Sequence, residues 1–144
     1  DNIMSILQFM DISQEEKNDR MHSLLRELGI FHLSKVKAYM LSGGERRRVE
    51  IARAMVMSPS VLLLDEPFSG IDPIAVADIQ GIISGLRDKG IGILITDHNV
   101  GATLGICDHA YIIDAGKLLK SGSSAEILES RRVREVYLGE KFRL

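Results

Sequence analysis

Apolar residues at Ile3, Ile6, Leu7 and Met10 recur at the i, i+3, i+4, i+7 spacing of one helix face. Asp11-Ile12 interrupts that pattern, and Ser13-x-x-Glu16 has the spacing of a capping box that opens a second helix. In that helix Met21, Leu24, Leu25 and Leu28 share one face, Glu15, Glu16, Lys17, Asp19 and Arg20 lie outside it, and Gly29 ends it. Residues 1–40 therefore read as all-helical. A third helix, from Gly44 to Met57, turns Val49, Ala52 and Val56 inward and is closed by Pro59.

Beyond residue 60 the pattern changes. Val61–Asp65, Ile91–Thr96 and His109–Asp114 are short apolar runs bounded by turn residues, and the first two have the composition of buried parallel strands. Between them, Asp72-Pro73 predicts an N-cap followed by proline at the first helical position. The helix that follows buries Ile79, Ile82, Ile83 and Leu86 and stops at Gly90. Strand, helix, strand in this order implies a right-handed crossover and a parallel sheet. Tyr111–Asp114, Ala115-Gly116 and Lys117–Ser121 read as a hairpin. Ser123-x-x-Glu126 caps a short helix, and Val133, Val136 and Tyr137 mark one more. The expected fold is α/β, with an all-helical unit over residues 1–57 and part of an α/β core over 58–144. Strands lacking their sheet neighbours would leave edges and an open apolar face.

Composition narrows the class. At 144 residues, 45% hydrophobic and 26% charged, the chain is ordinary for one globular domain. A net charge of −2 offers no basic footprint for nucleic acid, so no nucleic-acid partner is expected. No apolar run approaches the ~18–20 residues that span a bilayer. Residues 1–12 lack the basic start and small-residue cleavage site of a signal peptide. The single cysteine, Cys107, fits a reducing compartment and a small, buried apolar role. The start at Asp1, without an initiator Met and directly into an apolar pattern, suggests a cut inside a longer domain.

The chemistry concentrates between Leu41 and His98. Asp65 and Glu66 follow four aliphatics at the carboxyl end of the first strand, where open α/β sheets bind ligands. A strand-end aspartate can hold Mg²⁺ beside nucleotide phosphates, and a second carboxylate can polarise an attacking water. The alternative reading is that Asp65-Glu66-Pro67 simply turns the chain. Ser42-x-x-Glu45 is a capping box in its own right, with Gly43-Gly44 as loop; it is also a helix N-terminus with free N–H groups suited to phosphate. His98 follows the second parallel strand, at the same sheet edge, and is either structural or within reach of phosphate or water. Of Arg46, Arg47, Arg48 and Arg53, at least two belong on the surface. Gly116-Lys117 is followed by Leu118, so the chain holds no G-x-x-x-x-G-K-[ST] phosphate loop.

In this order and at these spacings, the motifs resemble those of ATP-binding-cassette (ABC) ATPases, from beyond the Q-loop onwards. Leu41–Glu45 looks like the family signature, with Glu45 where Gln is usual, and Val61–Glu66 looks like Walker B plus the catalytic glutamate. Ser69–Asp72 looks like the D-loop, and His98 like the switch histidine. Within the family, Leu41–Glu50, Asp65–Pro73, Ile95–Val100 and the tail from Val136 to Leu144 look like the ATPases of lipopolysaccharide export. Branched-chain amino-acid importer ATPases are the alternative, and a non-catalytic fragment that only docks transporter partners is another.

The resemblance implies a partial P-loop NTPase core with ATP and Mg²⁺ as cofactors. Two ATPase subunits would close head to tail, and transmembrane permease subunits would supply the only membrane contact. The protein would sit on the cytoplasmic face of the inner membrane. Ser42, Gly43 and Gly44 would contact the γ-phosphate of ATP bound mainly to the partner, with Glu45 in the same cofactor-binding segment, and Asp65 would hold Mg²⁺. Glu66 would act on the water, His98 would position it, and Asp72 would lie at the dimer seam. The helical unit would dock a permease helix. The chain by itself would be inactive, because the Walker A lysine and the adenine-stacking aromatic are absent from it.

Overall fold

The computed structural model describes residues 2–138. Asp1 and the 139–144 portion of the tail lie outside the described residues. The chain forms two units, Asp1–Thr96 and Asp97–Leu144. Residues on both sides of the expected 57/58 boundary, up to Thr96, fall in the first unit.

In the first unit, α1 (Met4–Leu7) and α2 (Gln14–Glu27) buries Leu7 and Leu25 respectively. The capping box is closed: the Glu16 N–H donates to Ser13 Oγ at 3.2 Å, and the Ser13 N–H donates to Glu16 Oε2 at 2.8 Å. Gly29 ends the helix at φ +68°, a left-handed conformation that glycine adopts without steric cost. Two 3₁₀ turns, Phe31–Leu33 and Ala38–Met40, lead to α3 (Gly43–Met55). Ile51, Ala52 and Val56 are buried on α3, while Val49 is half-buried.

After β1 (Val61–Asp65), α4 (Pro73–Asp88) begins at Asp72, whose carboxylate accepts from the Ile74 and Ala75 N–H groups, both at 3.0 Å. Proline at the first helical position needs no hydrogen bond there, which is why Asp-Pro starts the helix so sharply. Ile79, Ile83 and Leu86 form its buried face. β2 (Gly92–Thr96) pairs with β1 in parallel, in the register Val61↔Gly92 to Asp65↔Thr96.

One expectation for these strands needs correction. The aliphatic runs pointed to burial on both faces, while the lack of sheet neighbours pointed to an open apolar face; Val61, Leu63 and Leu94 are 59%, 70% and 56% exposed, so the second expectation holds and the first does not. Side chains alternate across a strand, so the face carrying Leu62 is buried and the opposite face is open. An aliphatic run reports what a strand could bury, whereas the layers actually present decide how much it does bury.

The second unit contains α5 (Val100–Leu104), the antiparallel hairpin of β3 (Ala110–Asp114) and β4 (Lys117–Gly122), α6 (Ser124–Glu129) and α7 (Arg131–Val133). Ala115 and Gly116 turn the hairpin with φ of +46° and +74°, both left-handed as a tight hairpin of this twist requires. Leu104, Ile112, Ile127 and Val133 make the core of this unit. Ser124 donates its hydroxyl to the Leu104 carbonyl at 2.6 Å, fixing α6 on α5. Cys107 is half-buried rather than fully enclosed. Val136 and Tyr137 do not join Val133 in that core: they are 51% and 44% exposed, in a π-helical turn over Arg134–Leu138 whose phase departs from α spacing.

The contrast between the two faces of the first unit makes a stability prediction. Ile79 is fully buried, so Ile79→Ala leaves a cavity and costs about 3 kcal/mol in denaturant unfolding. Leu63→Ala, on the open strand face, changes stability by about 0.5 kcal/mol or less.

Candidate functional site

Ser42 is the N-cap of α3, at φ −61° and ψ 166°. The Ser42 N–H and its hydroxyl both donate to Glu45 Oε2 at 2.8 Å, and the Glu45 N–H donates to Ser42 Oγ at 3.3 Å. The capping reading of this segment is therefore realised in full. These bonds favour the ionised carboxylate and pull the Glu45 carboxyl below its usual value of 4.5, the Ser42 backbone N–H first and the hydroxyl second. Both glycines have a packing reason within the chain. A Cβ on Gly44 would sit 2.7 Å from the Ala75 Cβ, and one on Gly43 would sit 3.0 Å from Ile71 Cγ2. The start of α3 thus fits directly against residues 70–75, the turn that carries Asp72.

At the end of β1 the two carboxylates receive separate support. The register sets Asp65 opposite Thr96, and the Thr96 hydroxyl donates to Asp65 Oδ1. Glu66 leaves the strand at φ +46°, a left-handed value that is uncommon for a residue with a Cβ. Its peptide is anchored on both sides. The Glu66 N–H donates to the Thr96 carbonyl at 2.7 Å, while the Glu66 carbonyl accepts from Arg47 Nη2 at 3.0 Å and from the Ser69 N–H at 3.2 Å. Arg47 also pairs with Glu50 at 2.7 Å, and Arg48 pairs with Asp78. Arg46 and Arg53 are exposed, in line with the expected two surface positions. Asp65 and Glu66 are themselves exposed, so the cost of burying a carboxylate pair is not incurred here.

His98 belongs to the second unit and its side chain is 67% exposed, with Nδ1 3.8 Å from Asp97 Oδ1. Asp97 Oδ1 also accepts from the Asn99 N–H at 2.7 Å, which shapes the turn into α5. The first unit thus brings Asp65 and Glu66 together with Thr96 and Arg47, and brings Ser42–Glu45 against the Asp72 turn. A cleft of about 160 Å³ between α3 and β1 is lined by Arg47, Glu50, Leu63 and Asp65, among others. A larger groove of about 460 Å³, lined by Glu27, Arg48, Asp78 and Lys89 among others, contains none of the candidate residues.

Among the described residues, no group of three or more His, Cys, Asp or Glu could cage a metal ion. Mg²⁺ keeps most of its water and takes one or two protein carboxylates beside a nucleotide's phosphates. Asp65, a hard oxygen donor held by Thr96 at an exposed strand end, fits such a role. Two supports escaped the sequence reading. Arg47 was visible only as one member of a charge run, and Thr96 only as the end of an expected strand. The Thr96 partnership could have been inferred from the strand register, because the last residues of two equal parallel strands stand opposite each other.

The family model described as "ABC transporter" matches residues 2–69. A solved ATP-binding cassette of an ABC transporter, MJ1267 in its ADP conformation, superposes with a TM-score of 0.80 at 32% identity, covering 92% of this chain and 54% of that one. The chain has the ABC ATPase cassette fold and is similar to ABC transporter ATP-binding proteins. More particularly, it is 54% identical over 144 residues to the lipopolysaccharide export system ATP-binding protein LptB of Acidithiobacillus ferridurans. It is also 54% identical over 145 residues to LptB of Escherichia coli K12. It spans 60% of the length of each of these relatives.

The capping boxes make an acid-stability prediction. Glu16, Glu45 and Glu126 each have a carboxyl held below the usual 4.5 by bonds from their N-cap serines. A lowered folded-state value adds stability above the unfolded value, and that contribution disappears as pH falls through the folded value. Thermal melting should therefore fall on acidification below about pH 4.5, and a Glu16→Gln, Glu45→Gln, Glu126→Gln triple variant should show a shallower fall.

Proposed function

We propose that the protein to which this chain belongs is the ATP-hydrolysing subunit of an ABC transporter that powers lipopolysaccharide export. The observation that carries the reading is the Asp65-Glu66 pair at the carboxyl end of β1, with Glu66 locked in a left-handed turn between Thr96 and Arg47. A left-handed non-glycine residue costs energy that its surroundings must offset, and such strain clusters at functional sites. The export assignment is supported by the 54% identity to LptB across this chain's full length.

In this proposal Asp65 would hold Mg²⁺, which would supply charge neutralisation at the nucleotide's phosphates. Glu66 accepts a proton from the attacking water or orients it, and His98 positions that water against the γ-phosphate. Ser42, Gly43 and Gly44 contact the γ-phosphate of ATP bound mainly to a second subunit, closed head to tail. Ser42 has to exchange its hydroxyl from Glu45 to phosphate as that happens. Asp72 lies at the seam of the dimer, where its turn already packs against the signature glycines.

Permease subunits, contacted through the helical residues 1–57, transmit closure to the cargo at the cytoplasmic face of the inner membrane. Among the described residues no helix is long and apolar enough to cross a membrane. These residues contain no phosphate loop, so hydrolysis is proposed for the full-length protein and not for the chain alone.

The test is Glu66→Gln in the full-length protein. Turnover should fall by about 100-fold or more while ATP binding is retained, since the variant keeps shape and loses the proton acceptor. Normal turnover in that variant would remove Glu66 from the mechanism.

A further inference from the structure

We propose that Thr96 is the positioning residue for both strand-end carboxylates, an inference that rests on the ATPase reading above. Thr96 is the last residue of β2, opposite Asp65 in the parallel register. It touches the two acidic residues by different means. Its hydroxyl donates to Asp65 Oδ1, and its main-chain carbonyl accepts from the Glu66 N–H at 2.7 Å. Among the described residues it is the one side-chain donor to the Asp65 carboxylate.

The residue type fits this double task. A β-branched side chain on a strand has few χ1 states, so the threonine hydroxyl is presented in one direction at little entropic cost. A single donor on one carboxylate oxygen fixes the carboxylate plane. Asp65 is exposed, and without that donor its side chain would sample several rotamers in water. Partners that orient a metal-binding carboxylate typically affect metal affinity by about 10-fold or more. The carbonyl bond, in contrast, belongs to the backbone and survives any side-chain change. Substitution at Thr96 therefore separates the two tasks: it releases Asp65 and leaves the Glu66 peptide anchored.

The experiment uses full-length protein carrying Glu66→Gln to suppress hydrolysis, with Mn²⁺ as the probe. Free Mn²⁺ is followed by electron paramagnetic resonance in the presence of saturating ATP. Thr96→Val, which keeps shape and removes the hydroxyl, should weaken Mn²⁺ binding by about 10-fold. Thr96→Ser, which restores a hydroxyl, should recover most of that loss, and metal-free ATP binding should be the same in all three proteins. Should Thr96→Val melt early by circular dichroism, Thr96→Ala serves as the second hydroxyl-free variant. Wild-type Mn²⁺ affinity in both hydroxyl-free variants would overturn the assignment of Thr96 alone. Failure of the protein with threonine in place to bind Mn²⁺ and ATP would overturn the ATPase reading, and this inference with it.

Discussion

The parallel pairing of β1 with β2 is the constraint on which the candidate chemistry depends. Its register brings Asp65 level with Thr96, and one residue later the Glu66 N–H reaches the Thr96 carbonyl. A shift of one residue would turn Asp65 to the other face of the sheet and remove both bonds. The pairing has support of its own. α4 joins the two strands and buries Ile79, Ile83 and Leu86, and α3 contributes Arg47 to the carbonyl of Glu66. Core packing and site geometry are thus linked through one short stretch of backbone, where β1 ends.

Several residues here serve local structure and proposed chemistry at once. Ser42 and Glu45 close a capping box, Asp72 caps α4, and Gly43 and Gly44 let α3 approach Ile71 and Ala75. None of this conflicts with phosphate contact. Backbone N–H groups at a helix start are available to an anion whether or not a side chain satisfies one of them. Glu45 is the exception, because its carboxylate occupies the hydroxyl of Ser42 and adds negative charge where phosphate would come. Under the proposed role, phosphate would have to displace Glu45 from the Ser42 hydroxyl, so that capping and capture would alternate.

Much of the architecture was legible from local signals. Ser13, Ser42 and Ser123 each announced a helix start by a glutamate three residues on, and Asp72-Pro73 announced another; all four caps are present. Strand boundaries and the hairpin turn followed from aliphatic runs and Ala115-Gly116. Burial was less legible. Leu63 and Leu94 look like core residues because hydropathy describes a side chain and not the layer opposite it. Val136 and Tyr137 looked like partners of Val133 because α spacing was assumed where the backbone takes a π turn. Candidate carboxylates could be named from the sequence; of their holders, Thr96 follows from the strand register, whereas Arg47 does not. Thr96 and Arg47 act across the fold, and only strand register and helix phase bring them to Asp65 and Glu66.

The central claim is that these residues supply the water-activating and partner-facing half of a nucleotide site and lack the cradle that holds ATP by itself. Isothermal titration of the 144-residue chain with Mg²⁺-ATP tests it directly. The account predicts no saturable binding in the micromolar range, because no Gly-rich loop with its lysine is present to enclose the phosphates. Stoichiometric micromolar binding by this chain alone would contradict it.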